Sequence, residues 1–316
     1  MLLKKSIYLV CGLFLMIACK SNQFAVKIPD EIQKSTRETY SVLSVLSSDQ
    51  CAGREPGTKG YAISAQYVED YLKKNKIKPL FNGSYKDTVF VEGDLSYNIV
   101  GVIGDYNPRK DHILLGAHLD HLGENATTED HIFNGADDNA SGVTSVLQIA
   151  RQLKKESFDK NIIVALFTGE EKGLIGSTHL AKRLKEESYE LSYMLNFEMI
   201  GTRFFKEGNT VFLTGNKLSN CASEMNKVLG RDFVKPFKME EELQLYYRSD
   251  NVPFYEAYNV PCHTISSYDF ETHAHYHEVN DEIEVLDVNN MQDIINSSVK
   301  VIKTFLEADT QLRMNE

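Results

Sequence analysis

The chain has 316 residues, 42% hydrophobic and 25% charged, with a formal net charge of −11 and a pI near 5.4. That length suffices for one large α/β domain with a substantial core. The acidic balance, with no basic stripe, argues against a nucleic-acid partner, and five cysteines without paired spacing give neither a disulfide framework nor a cysteine-based metal site.

At the N-terminus, "MLLKKSIYLVCGLFLMIACKSN" sets Lys4 and Lys5 before an apolar run over residues 7–18, followed by Cys19. The pattern predicts a signal peptide over 1–18, too short to span a bilayer stably. Ala18-Cys19 also resembles a bacterial lipoprotein signal, with Met16 where leucine is usual. That resemblance implies lipidation of Cys19, export, anchoring to a membrane on the periplasmic side or at the cell surface, and a polar tether over 19–35. Plain secretion is the alternative. Cys11 would leave with the signal; Cys51, Cys221 and Cys262 remain, with no pairing selected among them.

From residue 36 the periodicity alternates. Tyr40, Leu43 and Leu46 stand at helical spacing. "CAGREPGTKG" (51–60) reads as a loop, and "YAISAQYVEDYLKKNKI" returns to a helix through Ile63, Tyr67, Val68, Tyr71 and Leu72. "NIVGVIGD" (98–105), "HILLGAHLD" (112–120), "NIIVALFTGEE" (161–171) and "YMLNFEMIG" (193–201) are short, apolar and bounded by turn residues, as interior strands are. "TVFLTG" and "VPCHTISS" are expected as further strands. "SGVTSVLQIARQLKKE" and "KGLIGSTHLAKRLKEE" read as amphipathic helices, and a final helix carries Met291, Ile294, Ile295, Val299, Ile302 and Phe305 near one face. Strands alternating with helices predict a mostly parallel, mixed central sheet with helices on both faces, in one catalytic domain over 36–312.

Polar residues collect where the predicted strands end. His118 and Asp120 close one strand, "NGADDNASG" (134–142) precedes a helix, Glu170 and Glu171 close another strand, and Glu198 lies in "LNFEMIG". Ligands of open α/β sheets bind outside the carboxyl ends of the strands. Histidines with several carboxylates and no cysteine suit a borderline divalent ion such as zinc, and crowded carboxylates resist ionising together unless a cation offsets them.

The segments "GAHLDHLG", "NGADDNASG", "TGEEKGLIGS", "NFEMIG", "RSDNVPF" and "YHEVND" resemble, in order and spacing, the M28 family of co-catalytic zinc aminopeptidases over roughly residues 36–310. The resemblance implies a zinc-peptidase/phosphorylase-like three-layer sandwich and two Zn²⁺ per chain, with cobalt or manganese as substitutes. His118 and Glu198 would hold one metal, Glu171 and His277 the other, and Asp138 would bridge them. Asp120 would orient His118, and Glu170 would act as general base. Glu198 stands where many relatives have aspartate, and "EVND" follows His277 in place of a Thr-Pro pattern, with Asp281 still four residues on.

Other residues carry weaker expectations. Asp137 and Ser141 read as helix-capping residues. His121 and His131 match no position of the resemblance, and His273 and His275 are expected on an exposed loop or the substrate rim. Ser249-Asp250 is expected to start a helix with a pocket role. Tyr246, with Tyr247 as rival, is a candidate to hold the reaction intermediate. No G-x-S-x-G elbow supports a serine hydrolase. The resemblance therefore implies a metallo-exopeptidase acting on peptides with a free N-terminus, with a single-zinc glutaminyl cyclase, a dipeptidase or a carboxypeptidase as alternatives.

Overall fold

A computed structural model describes Phe24 and residues 26–127, 130–204 and 208–315; the expected signal peptide and Cys19 lie outside the described residues. In chain order the elements are α1 (Arg37–Leu46), α2 (Lys59–Lys74), β1 (Lys78–Pro79), β2 (Lys86–Val91), β3 (Asp94–Ile103), β4 (Asp111–His118), α3 (Gly142–Leu153), β5 (Asn161–Phe167), α4 (Ile175–Glu186), β6 (Glu190–Phe197), β7 (Phe212–Leu213), α5 (Cys221–Leu229), α6 (Lys238–Glu242), α7 (Asn251–Tyr258), β8 (Cys262–Ser266) and α8 (Val288–Glu307). The strands form one sheet in the order β1-β3-β5-β4-β6-β8-β7, with β2 paired to β3. The centre, β5-β4-β6-β8, is parallel, whereas β1, β2 and β7 pair antiparallel at the margins and β3 runs antiparallel to β5.

The central strands are apolar throughout because both faces are covered. Side chains alternate along a strand, so Ile162, Val164 and Leu166 of β5 join the core under α1, α2, α3, α5 and α8. Ile163, Ala165 and Phe167 of the same strand join the second core, under α4 and α7. Thr58 caps α2 by accepting the Tyr61 N–H, and Asp287 caps α8 by accepting the Asn290 N–H, each satisfying a donor the first helical turn leaves free.

Three features depart from the periodicity reading. The strand expected at 98–105 begins at Asp94 and forms a hairpin with β2, which the sequence pattern did not mark. Buried Asp87 and exposed Phe90 both stand against the usual polarity of a half-buried strand, so β2 lacks the clean alternation that would have shown it. "TVFLTG" contributes only Phe212 and Leu213 to the sheet. The segment expected as a tether is partly seated on the domain: Phe24 packs edge-on against Tyr67 with ring centroids 5.2 Å apart, and Pro29, Glu31 and Ile32 line a cleft with residues 283–289. Cys51, Cys221 and Cys262 are all free and buried.

Leu147 of α3 is fully buried in the larger core. Leu147→Ala is expected to lower the unfolding free energy by about 2–5 kcal/mol through lost burial and a residual cavity. The urea midpoint should fall with the slope unchanged; a loss under about 1 kcal/mol would show that α3 does not pack as described.

Candidate metal centre

Four parallel neighbours in the sheet end side by side, and their carboxyl ends carry the polar residues. His118 is the last residue of β4, and Glu170 and Glu171 follow β5 after Gly169, whose φ of +69° turns the chain. Glu198 directly follows β6. Asp138 lies in the irregular turn that enters α3, and His277 in the loop between β8 and α8.

The carboxylate of Asp138 faces two ways. Its Oδ1 lies 3.3 Å from His118 Nε2, and its Oδ2 lies 3.2 Å from His277 Nε2 and 3.9 Å from His121 Nδ1. Glu171 completes the second side, with Oε2 3.2 Å from His277 Nε2 and Oε1 2.8 Å from His121 Nδ1. The turn is held firmly: Asp281 accepts the N–H groups of Asp137 (2.8 Å) and Asp138 (2.9 Å) on its two oxygens. Asn139 spans to β6, donating to the Phe197 carbonyl and accepting the N–H groups of Gly142 and Met199. A Cβ at Gly142 would stand 2.2 Å from both Asn139 Oδ1 and the Phe197 carbonyl oxygen, so only glycine allows this approach.

Glu198 accepts a hydrogen bond from the Ser249 hydroxyl, which Thr264 and Asn196 buttress. Glu198, Glu170, Asp138 and His277 line one pocket, with Met199, Phe212, Leu245, Phe270 and Tyr276 as its apolar wall and Arg248 at its mouth.

Several expectations change here. The Asp120 carboxylate does not orient His118. The Asp120 carbonyl oxygen lies 3.2 Å from His118 Nδ1, while the carboxylate accepts the N–H groups of Glu170 (3.2 Å) and Glu171 (3.3 Å) and so fixes the end of β5 against β4. Tyr246 does not reach the pocket. Residues three apart share a face of a 3₁₀ turn, so Leu245 and Arg248 point to the pocket and Tyr246 turns inward. There it packs among Tyr247, Tyr255 and His263, under Gly215. His275 is buried rather than exposed, 3.5 Å from Asp137 and 3.9 Å from Asp281. His121, unmatched in the sequence, is buried against Glu171, and Tyr276 lines the pocket and stacks on His277 at 3.9 Å. Their adjacency to Asp120 and His277 was the available signal. Asp250 precedes α7 as expected, but its carboxylate caps nothing: it is fully buried and neither oxygen has a hydrogen-bond partner.

The charge state follows from this crowding. Burial alone would raise Asp138, but the imidazoles of His118 and His277 that face it hold it well below the ordinary range. Burial alone would lower His277, but Asp138 and Glu171 raise it to about 10. Burial pushes Glu170 well up, moderated by His118, and pushes Asp250 to about 7.

The residues fit divalent cations. His118, Glu170 and Glu171 offer ligand atoms within 4.8 Å of one another, as do His121, Asp138 and Glu171. His118 Nε2 is buried and makes no hydrogen bond while pointing at Asp138, so an electron-pair donor is left free at the place a cation would occupy.

Fold and site together define a mixed α/β sandwich with a histidine–carboxylate metal pocket at the carboxyl ends of its parallel strands. The chain belongs to Peptidase family M28, whose model matches residues 98–302. It is 29% identical over 221 residues to aminopeptidase YwaD of Bacillus subtilis, a match that covers 65% of this chain and 44% of that protein. The chain spans less than half the length of such curated relatives. Its fold resembles that of the Legionella pneumophila LapA aminopeptidase (TM-score 0.65, 20% identity, 92% of this chain and 78% of that one). It also resembles the Porphyromonas gingivalis glutaminyl cyclase (TM-score 0.64, 18% identity, 87% of this chain and 98% of that one).

The fold holds the His277 proton to about pH 10, against a free-histidine value of about 6.5. A group with a raised folded pKa contributes stability that is complete below its unfolded pKa and is lost as pH rises through the folded one. The melting temperature of chelator-treated protein is therefore expected to fall between about pH 7 and about pH 10. Saturating metal should flatten the profile, since a cation replaces the proton. A flat profile without metal would show that Asp138 and Glu171 do not hold His277.

Proposed function

We propose that this protein is a metal-dependent aminopeptidase that hydrolyses the first peptide bond of substrates with a free N-terminus. The observation that carries the reading is the two-sided placement of Asp138, one oxygen toward His118 and the other toward His277. Two divalent cations, zinc foremost, would be held by His118, Glu198 and Asp138 on one side and by Glu171, His277 and Asp138 on the other. When bound, such a pair supplies Lewis acidity to the scissile carbonyl and acidifies a water molecule.

The chain's own residues do the rest. Glu170 lines the pocket, no donor of the described residues occupies its carboxylate, and burial raises its affinity for a proton. It is placed to take the proton of the attacking water and return it to the leaving amine, so that base becomes acid within one turnover. Asp120 holds the Glu170 and Glu171 backbone in register for this. Glu198 supplies negative charge for the substrate ammonium, and the wall of Met199, Phe212, Leu245 and Phe270 accommodates an apolar first side chain. Export and membrane attachment through lipidated Cys19 belong to the same proposal, supported by the signal pattern of the sequence.

A glutaminyl cyclase is the second reading, favoured by the near-complete coverage of the cyclase structure. Chromogenic aminoacyl substrates assayed with and without chelator, beside cyclisation of an N-terminal glutaminyl peptide and elemental analysis, separate the two. Chelator-sensitive hydrolysis with two metals per chain is expected; cyclisation with one metal would overturn the aminopeptidase. Glu170→Gln should lower kcat by about 10²–10⁴-fold with metal content unchanged. Near-normal turnover would falsify the base assignment.

A further inference from the structure

The loop "CAGREPGTKG" has no place in the chemistry above, yet it contains the largest fully buried side chain of the described residues, Arg54. Its guanidinium donates five hydrogen bonds, all to main-chain carbonyls. Nε reaches Leu119 (2.9 Å), Nη1 reaches Leu46 (2.7 Å) and Asn134 (2.6 Å), and Nη2 reaches Gly135 (2.9 Å) and Asp138 (3.3 Å). Every donor of the side chain is used, and none goes to a carboxylate. The backbone adds to the tie: the carbonyls of Gly53 and Arg54 accept the N–H groups of Gly123 and His121.

Four of the five carbonyls that Arg54 gathers belong to the two segments that present His118 and Asp138; the fifth, of Leu46, is at the end of α1. Among the described residues no main-chain hydrogen bond joins 118–121 to 134–138. The guanidinium is a strut between them, next to the main-chain hydrogen bond from Phe133 to Gly123. A buried cation without an ion-pair partner is costly unless nearby charge offsets it, and Asp120, Asp138 and Asp281 surround this one closely enough to do so. The same cation offsets the mutual repulsion of those carboxylates. A lysine could not substitute, having one nitrogen where the five carbonyls require a planar fork.

We propose that Arg54 is a positioning residue that fixes the spacing of His118 and Asp138 and so preorganises the site for its cations. The inference rests on the reading of those two residues as metal ligands. The test uses the full chain and measures Zn²⁺ affinity by competition with a chromogenic chelator, alongside circular dichroism and thermal melting of the metal-free form.

Arg54→Lys and Arg54→Ala are expected to keep the secondary structure and to lose about 10–100-fold in Zn²⁺ affinity, the range found for residues that orient metal ligands. Methylguanidinium should restore part of the affinity of Arg54→Ala and leave that of Leu147→Ala unchanged. If Arg54→Ala does not fold, Arg54→Lys carries the test. Leu147→Ala, which removes core packing but none of these hydrogen bonds, is expected to bind Zn²⁺ like the parent. Parent-like Zn²⁺ affinity in Arg54→Lys, or an equal loss in Leu147→Ala, overturns the positioning role. A parent chain that binds no Zn²⁺ overturns the ligand reading and this inference together.

Discussion

Carboxylates crowded into a largely buried pocket set the terms for everything around them. Asp138, Glu170, Glu171, Glu198 and Asp250 converge where water cannot fully screen them, and like charges at such range resist ionising together. The protein answers with cationic or polarised groups of different kinds. Imidazoles face Asp138 and Glu171, main-chain N–H groups are aimed at Asp120 and Asp281, and the Arg54 guanidinium lies behind the pocket. What these leave uncompensated is free energy that a bound divalent cation would recover.

The sheet makes that convergence possible. Parallel strands β5, β4, β6 and β8 are neighbours, so residues about fifty to eighty positions apart in sequence, Glu170 and His118 or His118 and Glu198, stand side by side at one edge. Rigidity comes from side chains that bond to backbone rather than to each other. Asn139 spans the entrance of α3 and the end of β6, Asp281 grips two successive N–H groups beside Asp138, and Asp120 grips two beside Glu170. Such bonds fix main-chain atoms, and with them the origin of each side chain that faces the pocket. Metal chemistry tolerates little error in those origins.

The aromatic and hydroxyl residues near the pocket follow the same division between chemistry and support. Tyr276 lies on His277 and shapes the pocket, while Tyr246, one residue out of phase with Leu245, supports the floor from beneath. Ser249 and Thr264 form a hydroxyl chain from Asn251 to Glu198, which orients that carboxylate without placing a charge next to it.

Strand and helix periods in the sequence determined most of the architecture: the buried central strands, the long helices α2, α3, α4 and α8, and the placing of His118, Glu170, Glu171 and Glu198 at strand ends, while Asp138 and His277 were assigned to the same site only by the resemblance to the M28 family. Those features are local, written in residue type and spacing, and a parallel sheet turns them into one site by its topology alone. Tertiary structure alone decided the roles that depend on direction. Whether the carbonyl or the carboxylate of Asp120 faces His118, whether Tyr246 or Tyr276 meets the pocket, and whether His275 is buried all turn on rotations of a single residue, which no spacing records. The hairpin of β2 was hidden for a related reason, since buried Asp87 is paired with Arg183 and Asn98 only in the folded chain. The place of Arg54 likewise exists only there, because its five carbonyl partners come from segments that the linear chain keeps apart.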